Sequence, residues 1–209
     1  GALRKRGIDC RRVMPLYRQV RESGLEPTFT GQRIALSVRD EIHAADVCEA
    51  ETGGLKTLFI RHDEYFDREE LYSLSGGDYP DNLDRFVLFQ KAVVRWIEES
   101  GFRPDIVHCN DWQTALIPLY LRHGVDGAGR SGVERTVFTI HNLAYQGLFP
   151  PELFPVTDLP DACMHHETLE FYGRLNCMKG GLVGADRVTT VSRTYAREIT
   201  RPEFGCGLD

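Results

Sequence analysis

Pro104–Arg122 reads PDIVHCNDWQTALIPLYLR, and Arg135–Pro150 reads RTVFTIHNLAYQGLFP. In each, a short apolar run ends abruptly in polar residues able to do chemistry. Asp105–Cys109 ends in Asn110-Asp111-Trp112, and Thr136–Ile140 ends in His141-Asn142. Short apolar runs without alternation, separated by a helical stretch, predict buried parallel strands in βαβ units. In such sheets ligands bind in the crevice outside the carboxyl ends of the strands. Asp111 and His141 are therefore expected on one rim, facing one cleft, with the Trp112 indole and the Asn142 amide beside them.

Working outward, Gly1–Arg6 reads as the last turn of a helix, with Gly7 at its C′ position. Ile8–Met14 reads as a strand closed by Pro15. Arg33–Val38 and Lys56–Ile60 are further strand candidates, and Thr52-Gly53-Gly54 between them predicts an antiparallel excursion with a glycine turn. Asn82–Ser100 is the clearest helix: Leu83, Phe86, Val87, Gln90, Val94 and Ile97 form one stripe, and Gly101 closes it. Asp111, Thr114 or both are candidate caps for a helix running to about His123, which Pro118 is expected to kink. Tyr172–Gly184 reads as a helix and Arg187–Val191 as a strand. Ser192 then caps a helix through about Ile199.

The 209 residues suit one large domain or two small ones. A hydrophobic content of 42% is enough for a real core. The net charge of −6 argues against a nucleic-acid partner, which selects a basic face, and against an anionic membrane surface. No apolar run approaches the roughly 20 residues of a membrane span, and the first residues, GALRKRGIDC, lack the apolar core of a signal peptide. The six cysteines form no CxxC pair and no metal-like spacing, which fits a reducing cytoplasm. Cys109, at a strand end beside the expected cleft, reads as a small buried hydrophobe rather than a nucleophile.

Three tempting motifs fail on context. Gly127-Ala128-Gly129-Arg130-Ser131-Gly132 matches GxGxxG, but it follows a helix and precedes a strand, the reverse of a dinucleotide fingerprint. Thr52-Gly53-Gly54-Leu55 resembles a phosphate loop, yet it lies between two predicted strands and reads as a hairpin turn. Adjacent His165 and His166 point different ways on a helix or strand and so make a poor shared metal site.

HCNDWQTALIPLYL, TIHNLAYQGLFP, GDYPDNLDRF and ADRVTTVSRTYAREI…PEFGCGLD, taken in order, resemble bacterial glycogen synthase and plant starch synthase. The resemblance implies a Rossmann-like, doubly wound, mostly parallel α/β sheet: the N-terminal, acceptor-side half of a GT-B glycosyltransferase. It covers residues 1–209 as a partial N-terminal domain. The first strand with its Lys-x-Gly-Gly loop, and the C-terminal nucleotide-sugar domain, are expected to lie outside the chain. Two positions depart from the family pattern. Asn110 stands where many members have histidine, and Arg193 where proline is usual.

The same resemblance assigns roles. His141 sits beside the transferred glucose, and Asp111 lies near the reacting centre. Asn142 and Trp112 line the same region, and Tyr72 serves the acceptor side. Each also has a plainer structural reading: a satisfied strand-end histidine, a helix-capping aspartate, a core tryptophan. The implied activity is transfer of glucose from ADP-glucose to the non-reducing end of an α-1,4-glucan, with retention, no cofactor and no obligate metal. Two alternatives differ in class: another GT-B transferase of the sucrose- or trehalose-synthase type, and a non-catalytic glucan-binding module.

In the doubly wound strand order the first strand is central. Without it, two half-sheets lose hydrogen-bond partners, at roughly 1–3 kcal/mol for each buried unpaired group. Several such groups exceed the roughly 5–15 kcal/mol of a whole domain. Residues 1–209 alone are therefore expected to lack transferase activity and to be poorly stable. Thermal unfolding of that chain is the check: a monomeric, cooperative transition above about 50 °C contradicts the expectation.

Overall fold

The computed structural model describes residues 2–127 and 132–209. The chain divides into two compact units, Gly1–Val93 and Val94–Asp209. The four central residues of the GxGxxG match, 128–131, lie outside the described residues.

The first unit holds α1 (Ala2–Lys5), β1 (Arg12–Pro15), α2 (Arg18–Glu22), β2 (Thr28–Val38), β3 (Glu41–Thr52), β4 (Leu55–Arg61) and α3 (Asp63–Phe66). Next come the small hairpin β5 (Ser73–Leu74) and β6 (Gly77–Asp78), and then α4 (Asn82–Glu99), which ends in the second unit. The sheet order is β1-β4-β3-β2, with β1 parallel to β4 and the other pairs antiparallel. The glycine turn falls where expected: Gly53 and Gly54 have φ of 59° and 71° between β3 and β4.

The strand β3 itself was not anticipated. Its inward residues include the small Ala45, and the β2–β3 turn is Arg39-Asp40, with φ of 52° and 61° and no glycine to announce it. The strand expected at Ile8–Met14 begins only at Arg12. Arg12 pairs with Thr57, so residues before Cys10 run past the start of β4 and find no ladder. Leu16, Cys48 and Phe59 form the core there, with Met14, Val20, Leu25 and Ala50 packed on them.

α4 is buried along nearly its whole length, charged residues included. Asp84 pairs with Arg39, and Lys91 Nζ donates to the Ser37 carbonyl at 2.7 Å. The fully buried Arg85 donates to the carbonyls of Tyr65 and Leu71 and to Asn82 Oδ1, at 2.7, 3.0 and 2.6 Å. A buried guanidinium needs such acceptors. Arg85 thereby fixes the loop that carries Tyr72.

The second unit holds β7 (Ile106–Asn110), α5 (Ile117–His123), β8 (Arg135–Ile140), β9 (Leu148–Phe149), β10 (Glu170–Phe171), β11 (Arg174–Asn176), α6 (Cys177–Gly184), β12 (Arg187–Thr190) and α7 (Arg193–Glu198). Its main sheet is wholly parallel, in the order β12-β8-β7. Parallel pairing is thus split between two sheets, one per unit, and β1 and β7 each stand at an edge. The fold is α/β.

Two expectations are corrected. The helix predicted to start near Asp111 breaks into a 3₁₀ turn (Trp112–Thr114) and α5. Pro118 lies in the first turn of α5, where its missing N–H costs nothing, so it starts a helix rather than kinking one. The helix predicted over Tyr172–Gly184 is a hairpin followed by a shorter helix. Tyr172 and Gly173, with φ of 49° and 75°, turn β10 into β11, and only Cys177–Gly184 is helical. Strands of two and three residues are too short to show a period.

α6 carries Gly180, Gly181 and Gly184. A Cβ on Gly181 would lie 2.7 Å from Phe138 Cε2 and 2.9 Å from Ala115 Cβ. The glycine lets α6 press against β8. Helix propensity alone favours Gly181→Ala by about 1 kcal/mol, whereas overpacking costs about 1–3 kcal/mol. Gly181→Ala is expected to destabilise the intact protein by about 1 kcal/mol, read from its urea midpoint; a rise in midpoint would show that α6 is not seated this closely.

Candidate active site

β7 and β8 run side by side, with Asn110 opposite Thr139, so their carboxyl ends finish on one rim. The chain leaves β7 into Asp111 and leaves β8 into His141. Asp111 Oδ1 accepts the His141 backbone N–H at 2.7 Å. The structure therefore brings the two residues together, side chain to main chain. The Asn110 side-chain oxygen lies 3.2 Å from His141 Nε2. A carbonyl oxygen only accepts, so Nε2 is the donor in this contact. The His141 side chain is otherwise exposed.

Asp111 pays a conformational cost to be there. Its φ and ψ are 55° and −179°, a region that is essentially glycine territory. Backbone and side chain both hold it. Its N–H donates to the Thr139 carbonyl at 3.0 Å, its carbonyl accepts from Thr114 N–H at 3.1 Å, and its carboxylate takes the His141 N–H. The helix-capping reading is corrected: no side-chain cap bond forms at Asp111. Thr114 does bond locally, its hydroxyl accepting from Asn110 N–H at 2.5 Å and donating to the Asn110 carbonyl at 2.7 Å.

Below the rim, His108 Nε2, Thr139 Oγ1 and Thr189 Oγ1 follow one another at 2.6 and 2.7 Å, crossing all three parallel strands. Burial, then the neighbouring His141, lowers the His108 pKa and favours its neutral ring. Cys109, on the opposite face of β7, is 1% exposed, and burial pushes its thiol up to about 12. It has the character of a core residue.

Asn142 starts the loop after His141, and its side-chain oxygen accepts the Ala144 N–H at 3.1 Å. Trp112 is 8% exposed. A Cβ on Gly147 would lie 2.6 Å from its ring, and Phe149 meets it edge-on at 5.7 Å. The indole therefore packs the loop from beneath. Tyr72 belongs to the first unit. It is 39% exposed, and its backbone carbonyl accepts from Asn82 Nδ2 at 2.9 Å.

Sequence reasoning missed Asn110 as a partner of His141, and missed Tyr195, whose hydroxyl accepts the Leu143 N–H at 2.9 Å. Tyr195 lies 52 residues from Leu143, and no local pattern signals such a contact. His165 and His166 stand on neither a helix nor a strand. They sit in a turn, and their rings lie 4.0 Å apart. Among the described residues, no three His, Cys, Asp or Glu side chains gather to hold a metal ion.

A family model described as the starch synthase catalytic domain matches residues 1–209. Glycogen synthase 2 of Geobacter sulfurreducens is 44% identical over 208 residues, covering 100% of this chain and 43% of that protein. The glycogen synthase of Aquifex aeolicus is 43% identical over 210 residues, covering 99% and 42%. Among solved structures, the catalytic domain of starch synthase IV from Arabidopsis thaliana, bound to ADP and acarbose, superposes with a TM-score of 0.81 at 28% identity. It matches 99% of this chain and 42% of its own length. The chain thus spans less than half the length of these relatives.

The backbone at Asp111 separates strain from chemistry. Asp111→Gly and Asp111→Ala both lose the carboxylate, but only glycine relieves a strain of about 1–3 kcal/mol. Glycine's own unfolded-state entropy takes back about 0.5–1 kcal/mol. Asp111→Gly is thus expected to have the higher urea midpoint of the two, and the reverse order would show that the left-handed backbone carries no strain.

Proposed function

This chain belongs to the family of starch synthase catalytic domains, and from that premise we propose that it forms the acceptor-side part of a GT-B α-1,4-glucan synthase. In this reading the whole protein transfers glucose from ADP-glucose to the non-reducing 4-hydroxyl of a glucan, with retention of configuration and without an obligate metal. Glycogen synthase relatives and a solved relative that holds ADP and acarbose support the donor and the acceptor class. The residues of the reaction are His141 and Asp111, with Asn142 beside them on the substrate side; the family resemblance alone adds Tyr72, of the first unit, as an acceptor residue.

The observation that carries the proposal is the placement of His141. Its main chain is tied to Asp111, its Nε2 is oriented by Asn110, and its ring remains exposed at the strand-end rim. As the glucosyl–phosphate bond breaks, the sugar gains positive charge and the nucleotide keeps negative charge. An imidazole already oriented needs no reorganisation to meet that change, and this is where fixed dipoles outperform water. Closure of the full protein over the cleft excludes water and so limits hydrolysis. Trp112 acts by packing beneath the loop.

A cytoplasmic setting completes the proposal. All six cysteines are free. Among the described residues no helix is long and apolar enough to cross a membrane.

His141→Ala in the full-length protein is expected to cut kcat by orders of magnitude while the acceptor KM moves little, because the contact strengthens as charge develops. Steady-state kinetics with ADP-glucose and UDP-glucose as donors check this. A kcat within threefold of wild type, about 0.65 kcal/mol, refutes the role of His141; a clear preference for UDP-glucose refutes the donor.

A further inference from the structure

The loop from His141 to Gly147 forms no strand pairing of its own, yet it is fastened at both ends. At its start, Leu143 is buried and its N–H donates to the Tyr195 hydroxyl at 2.9 Å. Tyr195 is set by its own helix start, since its N–H donates to Ser192 Oγ at 3.0 Å. At the far end, the buried Gln146 is held through its side-chain amide and its backbone carbonyl. Its side-chain oxygen accepts from Asn176 Nδ2 at 2.6 Å, its Nε2 donates to the Cys206 carbonyl at 3.1 Å, and its backbone carbonyl accepts from Met178 N–H at 2.9 Å.

The Asn176 side-chain oxygen meanwhile caps α6 by accepting the Lys179 N–H at 3.0 Å, and the Gly147 carbonyl accepts from Cys177 N–H at 3.1 Å. The unpaired N–H groups of the first turn of α6 are thus spent on the loop and its anchor. A buried amide with all its groups engaged has one low-energy orientation, because any rotation leaves polar atoms unpaired. The hydrogen bonds of Tyr195 and Gln146 fall on the backbone and anchor of the segment that follows His141.

We propose that Tyr195 and Gln146 are positioning residues for His141, clamping the loop after β8 so that the His141 backbone keeps its bond to Asp111 and the imidazole keeps its place beside Asn110. The clamp draws on the segment 192–206, far along the chain from His141. The kinetic half of this inference rests on the glucan synthase reading; the structural half does not.

The test uses the full-length protein with Tyr195→Phe, which deletes one hydroxyl, and Gln146→Glu, which keeps the acceptor for Asn176 but opposes a carboxylate to the Cys206 carbonyl. Amide hydrogen exchange over residues 141–147, thermal midpoint, kcat and KM are read for each. The expected result is faster exchange in that loop, a kcat reduced roughly tenfold or more, since small misplacements cost up to about a hundredfold, and an acceptor KM within about twofold. The Tyr195→Phe midpoint should fall by only a few degrees, leaving the protein folded at the assay temperature, which separates positioning from unfolding. Unchanged loop exchange in both variants overturns the clamp. Faster exchange with wild-type kcat overturns its positioning role, and so does a kcat loss that only tracks the loss of folded protein. If wild-type protein transfers no glucose from any nucleotide-glucose donor, the functional reading fails, and loop exchange alone then decides the clamp.

Discussion

The site depends on one hydrogen bond, the 2.7 Å contact from the His141 backbone N–H to Asp111 Oδ1. Parallel strands end at a rim with backbone groups that the ladder no longer pairs, and each must find another acceptor or donor. Here the first N–H beyond β8 is satisfied by the side chain just beyond β7. That requires Asp111 to turn back toward its neighbour, which it does by adopting a backbone region that side chains rarely enter. The strain is tolerated because Asp111 is also held through its own N–H and carbonyl. Strain kept in place by several bonds is a mark of positions shaped by function rather than by stability alone.

The same rim shows how packing sets chemistry at a distance. Gly181 brings α6 against Phe138, and that approach carries the first turn of α6 to the carbonyls of Gln146 and Gly147. Trp112 fills the space under Gly147, where a larger residue would collide with its ring. The tryptophan next to Asp111 is therefore a structural support. Its place in the sequence, adjacent to Asp111, speaks of a site; its burial speaks of a foundation.

Much of this was legible in the sequence because its signals are local. The two apolar runs ending in Asn110-Asp111 and His141-Asn142 fixed the strands and their common rim, and Ser192 was readable as a cap. The glycine pair at 53–54 announced its hairpin. What escaped was non-local or carried by unusual residues. The turns at Arg39-Asp40 and Tyr172-Gly173 place side-chain-bearing residues at positive φ, so β3 and the β10–β11 hairpin had no clear boundary. Tyr195 and Gln146 make contacts 52 and 60 residues away, which no period or motif encodes. Asn110 showed only as a departure from the family pattern, and its contact with Nε2 required coordinates.

Exposure divides the labour among these residues. His141 presents its ring to solvent, while Gln146, Asn176 and Leu143, which hold the backbone behind it, are buried. A buried polar group is costly to leave unpaired, so the anchors are strongly specified by the fold. An exposed imidazole carries little such cost, and replacing it leaves the packed interior untouched. The exposed side chain and the framework that holds it therefore answer to different energies: in the proposed reaction the first answers to developing charge, and the second answers to desolvation in the folded protein. This separation lets a rim built on a common α/β sheet keep its geometry while the groups at its edge are chosen for chemistry.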